Sequence, residues 1–347
     1  MAKLSKILIF ALLILILISS CGKEDTQKAV EELRIGTEGV SVTFLPNNPP
    51  SIVYADQQRF DVVLEINNRG AYPQVGDPIN TLGKVFLGGY DANILTVNPN
   101  SFELKPIELQ GKSMVNLKGG STLVTFNDVG INDLNVEKYE PTFLAIACYN
   151  YYTVAAPNVC IDPDPYSTIS QKKVCQVQDV ALTSQGAPIA VTKIEEEAFA
   201  DKTQFKVTIK NVGAGDVLKS QSASSGTGAS SNIIDKCNPF GQSKIGREDI
   251  DKVYLQEVKI GPQTLQCWPF AGEKLNSGAT ENVKGNFGYI RLLNGEGSII
   301  CELTKSDPSY SEAKTAYTTP LRIVLTYAYK TTAERKITIK KQITTTT

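Results

Sequence analysis

The chain has 347 residues, 41% of them hydrophobic and 20% charged, which is enough apolar material for two globular domains. Its 35 basic and 36 acidic side chains nearly cancel, so no net field would attract nucleic acid or an anionic surface. Histidine is absent, which removes the commonest general base, the usual partner of a nucleophilic serine or cysteine, and the commonest zinc ligand. We therefore predict a protein that is not an enzyme, with no cofactor and no nucleic-acid partner.

The N-terminus has the pattern of an export signal. Two lysines precede an apolar run at residues 7–18, which as a helix would span only about 18 Å of the roughly 30 Å hydrocarbon core. The run therefore predicts a signal peptide, residues 1–21, rather than a membrane span. Its end, ISSCG, resembles the lipobox of prokaryotic lipoproteins, in which the cysteine, here Cys21, is lipid-modified and becomes the new N-terminus. An ordinary cleavable signal with an incidental cysteine is one alternative, and a buried anchor that is never cleaved is another.

Residues 22–35 are mainly polar and charged, with a brief helical tendency, and we expect them to form a tether. A lipid on Cys21 would then hold the folded part at the outer face of the cell membrane. We predict an extracytoplasmic location, with the membrane as a partner through this anchor.

Short alternating strands separated by Gly, Pro and Asn dominate the rest of the chain. They are predicted at residues 40–44, 60–66, 84–87, 102–109 and 121–126, and the order returns at 189–194, 205–209, 251–255 and 297–301. This pattern predicts an all-β fold of two tandem antiparallel immunoglobulin-like β-sandwiches. We place the first at 36–168 and the second, an internal repeat of the first, at 174–344.

The clearest repeat is residues 139–161, which return at 317–339 without a gap and with six of 23 positions identical. Each copy combines a β-branched and aromatic run, a small-residue turn near Ala155 or Ala333, and a short return strand. This pattern predicts a β-hairpin that closes each sandwich.

The repeat also places tyrosines at alternate positions: Tyr149 and Tyr151 in the first copy, Tyr327 and Tyr329 in the second. Alternate residues share one face of a strand, so an exposed stripe could stack on sugar rings or anchor a protein partner. Cross-strand packing within the sheet explains the same residues, and we favour it because the stripe survives duplication while the loops diverge.

Six cysteines follow the export signal, an even number that suits a disulfide framework in an oxidising compartment: Cys148, Cys160, Cys175, Cys237, Cys267 and Cys301. Six cysteines allow 15 pairings, and the sequence does not choose among them. We weakly prefer Cys160 with Cys175 and Cys237 with Cys267. Cys148 and Cys301 would then pair and clamp the two domains together.

Other candidate sites have simpler explanations. Asp162 and Asp164 could contribute to a calcium site, but a Pro-Asp turn accounts for them, and we predict no metal. The acidic runs 195–197 and 248–251 could supply paired carboxylates for glycoside hydrolysis, but a solvated charge run is the simpler interpretation.

A strand followed by an Asn-x-Gly turn occurs in both parts, as FDVVLEINNRG at residues 60–70 and FKVTIKNVG at 205–213. It resembles the signature strand of CARDB-type and related immunoglobulin-like domains of exported archaeal and bacterial surface proteins. The resemblance implies adhesion or the spacing of other modules, and it carries no catalytic residues. We therefore expect a lipid-anchored surface protein with a structural, adhesive or protein-interaction role toward cell-envelope proteins or surface glycans. A lipoprotein that captures a sugar or peptide for a membrane complex is the alternative.

Overall fold

A computed structural model describes residues 33–55, 59–74, 76–77, 82–132, 134–167, 173–220, 233–271, 284–307, 310 and 315–341. The predicted signal peptide, Cys21 and most of the predicted tether lie outside the described residues. Within the described ranges, no helix has the length and apolarity needed to cross a membrane.

The described part of the chain is built almost entirely from strands. The first half contains β1 (Val40–Phe44), β2 (Ile52–Tyr54), β3 (Phe60–Asn68), β4 (Gly83–Gly88), β5 (Leu95–Thr96), β6 (Ser101–Leu104), β7 (Ser121–Ile131), β8 (Lys138–Tyr139), β9 (Thr142–Ala155) and β10 (Asn158–Ile161). The second half contains β11 (Val180–Ala181), β12 (Ile189–Ala198), β13 (Lys202–Asn211), β14 (Asp216–Leu218), the short 3-10 helix η1 (Asp235–Cys237), β15 (Lys252–Ile260), β16 (Gln263–Thr264), β17 (Gln266–Trp268), β18 (Gly288–Arg291), β19 (Glu296–Thr304), β20 (Tyr317–Lys336) and β21 (Thr338–Lys340).

The predicted strands are confirmed, with one shortened. The strand predicted at 102–109 ends at Leu104, because a turn that contains Pro106 follows it and proline has no N–H to continue the ladder.

Both halves contribute to one central sheet. Nine strands form it in the order β16-β15-β20-β9-β4-β6, with β10 and β14 also paired to β20 and β18 paired to β15. Each half adds an outer sheet of its own, β1-β3-β7-β5 in the first and β11-β12-β13-β19-β17 in the second. A small sheet, β2-β21-β8, also joins strands of both halves. The all-β, largely antiparallel architecture is confirmed, and the two halves are joined through shared sheets rather than merely following one another.

The two copies of the repeat meet at the centre of this sheet. β9 and β20 pair antiparallel over fourteen residues, so that Tyr149 lies opposite Tyr329 and Tyr151 opposite Tyr327. The two copies thus lie side by side and pack against each other, which explains why the repeat keeps its apolar and aromatic pattern.

The predicted hairpins are wrong. β10 does not fold back on β9 but pairs with the start of β20, where Ile161 lies opposite Tyr317. Reciprocally, β21 pairs with β8, where Ile339 lies opposite Tyr139. Each return strand therefore pairs with the other copy. The local pattern cannot distinguish these arrangements, because both copies offer a similar apolar and aromatic edge.

The face of the central sheet opposite the outer sheets is partly covered by the segment that contains η1. A buried cluster there joins Phe86, Ile146 and Cys148 of the first half to Ile234 and Cys237 of the second. A disulfide between Cys148 and Cys237 fixes this contact. The two halves are thus clamped, although not through the predicted partner of Cys148.

The other disulfides lie nearer in the sequence. Cys160 pairs with Cys175, as predicted. Cys267 pairs with Cys301, because they lie directly opposite each other on β17 and β19, so the predicted Cys237–Cys267 and Cys148–Cys301 bonds are wrong. The spacing of the cysteines along the sequence does not reveal that β17 pairs with β19.

Candidate functional site

The four tyrosines of the repeat form a buried cluster at the seam between the halves. Their side chains are at most 3% exposed, and the ring centroids of Tyr149 and Tyr329 lie 5.9 Å apart, those of Tyr151 and Tyr327 6.4 Å. Burial raises the pKa of the Tyr149 and Tyr327 hydroxyls well above the ordinary value. The rings are therefore packing groups, and none presents a face to a sugar or a protein partner.

Two of these tyrosines hold the Asn-x-Gly turns in place. Asn68 is fully buried and its side-chain amide donates to the carbonyl oxygens of Tyr72 (2.6 Å) and Leu109 (2.7 Å). Its Oδ1 accepts from the Gly70 N–H and the Tyr151 hydroxyl, both at 3.1 Å. The asparagine therefore closes the turn and ties it to the central sheet.

The same module recurs in the second half. Asn211 donates to the Gly215 carbonyl (2.9 Å) and accepts from the Gly213 N–H (3.2 Å) and the Tyr329 hydroxyl (2.9 Å). The motif that carries the family resemblance is thus a structural module that fixes the outer sheets on the central one.

Two threonines at equivalent places in the repeat anchor the first strand of each outer sheet. Thr153 Oγ1 donates to the Ile189 carbonyl (2.7 Å), and Thr331 Oγ1 donates to the Val40 carbonyl (3.1 Å). Each threonine bonds a strand of the opposite half. The two bonds make Ile189 in β12 the counterpart of Val40 in β1, and the residues of the two strands correspond one to one from there to Val191, after which β12 has a bulge.

A groove of about 250 Å³ runs along the outer edge of β1, and we call it the β1 groove. Residues 37–43 and Arg69 form one side, and Pro188, residues 213–215, Tyr329, Thr331 and Thr332 form the remainder. Among the described residues β1 pairs with β3 and with no other strand, so it is an edge strand.

Val42 has unused backbone groups on this edge. The bonds from Arg69 N to Gly39 O and from Leu45 N to Val63 O show that odd-numbered residues of β1 face β3. The N–H and C=O of Val42 therefore point into the β1 groove, and within the described ranges neither has a hydrogen-bond partner.

The equivalent edge in the second half is closed. Val191, the counterpart of Val42, donates its N–H to Gln185 Oε1 (2.8 Å) and accepts from Gln185 Nε2 (3.0 Å). β11 pairs with the next part of β12. Gln185 stands four residues before Ile189, and the residue four before Val40 is Gly36. At the position equivalent to Gln185, the first half therefore has no side chain with which to close its edge.

The backbone of Gly36 reinforces this difference. Its φ of 126° lies where a side chain is strained, so the chain takes a path here that only glycine follows readily. The open edge is a consequence of the local conformation as well as of residue choice.

The chemistry of the β1 groove suits hydrogen bonding rather than acid–base catalysis. Glu38 is the only carboxylate among the lining residues, and its exposed ion pair with Arg69 (3.4 Å) contributes at most about 1 kcal/mol. Burial raises the pKa of Tyr329 to about 12, so its hydroxyl stays protonated and bonded to Asn211. The groove therefore offers an unpaired strand edge flanked by hydroxyl side chains.

The remaining candidates are engaged in structural contacts. Asp162 forms an ion pair with Lys173 (2.6 Å), whose ammonium also donates to the Asp164 carbonyl (2.9 Å). In the acidic run 195–197, Glu195 pairs with Lys206 (2.7 Å), and in the run 248–251, Asp249 pairs with Lys236 (2.8 Å). No group of three or more Cys, Asp or Glu side chains within the described residues could hold a metal ion.

Comparisons with known proteins identify no family. No family model matches the chain, and no curated protein matches it. A solved structure described as pT26-6p aligns at 9% identity and a TM-score of 0.17, over 93% of this chain and 70% of that one. A TM-score at this level carries no argument about fold or function.

Proposed function

We propose that this chain is an exported lipoprotein, held at the outer face of the cell membrane through Cys21, that binds another cell-envelope protein at the edge of β1. The observation that carries the proposal is that the N–H and C=O of Val42 point into the β1 groove without a partner among the described residues. In the second half, the N–H and C=O of the equivalent residue, Val191, are both bonded to Gln185.

An open strand edge is suited to strand addition. An extended segment of a partner would pair with the outward backbone groups of β1, which supplies affinity, while its alternate side chains enter the groove. Proteins that do not use an exposed edge usually block it with a charge, a proline, a bulge or a covering loop. The second half blocks its edge with residues 180–187, whereas no described residue bonds the outward backbone groups of Val42 in the first.

The rest of the chain fits a structural or interaction role. Three disulfides suit an oxidising compartment outside the cytoplasm. The two halves share the central sheet and are linked by the Cys148–Cys237 disulfide. We propose that they are a pair of immunoglobulin-like units of the CARDB type, at 36–168 and 174–344, that presents the edge of β1 to a partner. Asp162, Glu195 and Asp249 are engaged in ion pairs, which favours a binding protein over a hydrolase that uses these carboxylates.

Capture of a sugar is less well supported. The four repeat tyrosines, which the sequence offered for stacking on a sugar, are buried in the seam, and the 250 Å³ of the β1 groove lies below the roughly 300–1,000 Å³ typical of small-molecule sites. An extended peptide segment, which needs only a strand edge and shallow side-chain pockets, fits the geometry better.

A matched pair of threonines provides the test. A photo-crosslinking amino acid is placed at Thr43, exposed on the open edge, or at Thr192, which follows Ile189 by three residues as Thr43 follows Val40 but is half-buried at the bulge of β12 on the closed edge, and each protein is expressed in its native cell envelope. We expect an adduct with one envelope protein from position 43, joined through an extended segment, and none from position 192. Val42→Pro removes the outward N–H without touching the bonds to β3, and it should abolish the adduct. Equal labelling from both positions, or an adduct that survives Val42→Pro, would overturn the proposal.

A further inference from the structure

The loop between β6 and β7 carries an exposed apolar tip at residues 113–118, and we call it the 113–118 tip. Val115 is 97% exposed, Leu117 68% and Met114 57%. Scattered apolar side chains on a surface are ordinary, but three within four residues at the end of one loop are not.

The tip is an ordered turn. Ser113 and Asn116 exchange two backbone hydrogen bonds, of 2.9 and 3.0 Å, which places Met114 and Val115 at the outermost point. The Asn116 side chain donates to the Gly119 carbonyl (2.8 Å). Because these backbone groups are already paired, the tip can leave water at a lower cost than an open loop could.

The base of the loop is ordered too and carries further apolar side chains. Gly120 N donates to Gln110 O (2.7 Å), and Thr122 Oγ1 lies 3.1 Å from Glu108 Oε2, so its two arms are joined. Ile107 and Leu123, one on each arm, are 78% and 60% exposed.

The loop that carries the tip, residues 105–120, is basic. It holds Lys105, Lys112 and Lys118 against Glu108, and because Glu108 pairs with Lys105 (3.7 Å), Lys112 and Lys118 supply the excess positive charge. Lysines beside an apolar tip are the arrangement that suits an anionic lipid surface, since the apolar groups enter the acyl boundary while the ammonium groups remain among the headgroups.

The loop also lies where the chain leaves the N-terminal segment. The Lys112 ammonium donates to the Ile35 carbonyl (3.3 Å), and the Ile35 side chain is itself 53% exposed. From Leu33 back to Cys21 is twelve residues, which reach at most about 40 Å. A lipid on Cys21 would therefore keep this end of the molecule within reach of the bilayer.

We propose that the 113–118 tip inserts into the headgroup region of an anionic lipid bilayer and fixes the orientation of the protein on the membrane. This inference rests in part on the proposed anchor at Cys21. The lipid on Cys21 and the 113–118 tip would then contact the membrane at the same end of the molecule, and the rest of the molecule would face away from the membrane.

The test uses the full chain in vesicles of phosphatidylcholine and phosphatidylglycerol in equal amounts, with brominated phosphatidylcholine as the quencher. Val115→Trp places a tryptophan at the tip, and Val174→Trp, at a site 79% exposed outside this loop, is the matched control. Trp268 is the only native tryptophan and gives the same background in both. Insertion to about 5–10 Å predicts that roughly half or more of the added emission of Val115→Trp is quenched, and little of that of Val174→Trp.

A charge change tests the lipid preference. Adding Lys118→Glu to Val115→Trp should lower the quenching in anionic vesicles, since it replaces an attraction with a repulsion. Equal and weak quenching at both tryptophans would overturn the proposal. Equally strong quenching at both would also overturn it, because orientation would then not be fixed.

Mass spectrometry of the N-terminus in the same samples separates this inference from the proposed anchor. Quenching at position 115 without a lipid on Cys21 would retain the tip and refute the anchor. A lipid on Cys21 without quenching at position 115 would retain the anchor and refute the tip.

Discussion

Glu196 should make the stability of this protein fall as the pH rises through the neutral range. It lies in β12, is 6% exposed, and accepts one hydrogen bond, from the Cys160 N–H (3.2 Å). Its Oε1 is buried with no hydrogen-bond partner among the described residues. Burial raises the pKa of this carboxyl from 4.5 to about 7.

The direction follows from the proton balance. Below pH 4.5 both folded and unfolded states hold the proton, so the raised pKa costs nothing. As the pH rises from about 4.5 to 7, the unfolded state releases its proton while the folded state retains it, so the free energy of unfolding falls. At 1.36 kcal/mol per pKa unit, the loss is about 3 kcal/mol in all, and about 2.5 kcal/mol of it lies between about pH 5 and pH 8.

The absence of histidine makes this window unusually clean, because no side chain with an ordinary pKa changes charge there. Urea unfolding with the disulfides intact, repeated across the window, measures the slope. Glu196→Gln keeps an acceptor for Cys160 but cannot ionise, so its stability should be nearly flat. Glu197→Gln, at the exposed neighbouring position, should keep the wild-type slope. Identical slopes in the wild type and Glu196→Gln would refute the reasoning.

Three further predictions test the seam and the edges. Asn68→Ala removes four hydrogen bonds from a fully buried site and should cost about 3–5 kcal/mol, against about 1–3 kcal/mol for Asn211→Ala, as measured by chemical denaturation. Equal losses of unfolding free energy in the two variants would contradict the expectation that Asn68, which is fully buried, contributes more than Asn211, which is half-buried. Replacing Cys148 and Cys237 together by alanine opens a loop of 89 residues and should cost about 2–4 kcal/mol in non-reducing unfolding experiments; no loss would mean that the shared sheets and the buried cluster hold the halves without the disulfide. Gln185→Ala opens the second edge and should cost about 1–2 kcal/mol, because water replaces the amide, and an unchanged unfolding midpoint would argue against its role as a plug.

The strands were predictable because alternation of apolar and polar residues reports which face of a strand is buried, and β3 and β13 show it clearly. The partners of the repeat strands were not predictable. β10 could pair with β9 or with the start of β20, and both choices bury the same side chains. The disulfide between Cys267 and Cys301 depends in the same way on the pairing of β17 with β19.

The candidate site was harder to predict from the sequence than the strands were. The importance of Gly36 follows from its being the counterpart of Gln185, and that equivalence depends on hydrogen bonds from Thr153 and Thr331 to opposite halves. A gapless alignment of the repeat could not reveal it, because the offset between the first strands differs from that of the repeat. The tyrosines were visible in the sequence, but their burial depends on the pairing of β9 with β20.

Amide hydrogen exchange at Val42 and Val191 tests most directly whether β1 offers a free edge. The Val191 N–H is bonded to Gln185, whereas the Val42 N–H faces the β1 groove without a partner among the described residues. We predict that Val42 exchanges faster than Val191 by about tenfold to a hundredfold in the isolated protein, and that its protection rises when a partner segment binds. Equal and strong protection at both amides in the isolated protein would contradict an open edge, and with it strand addition as the mode of binding.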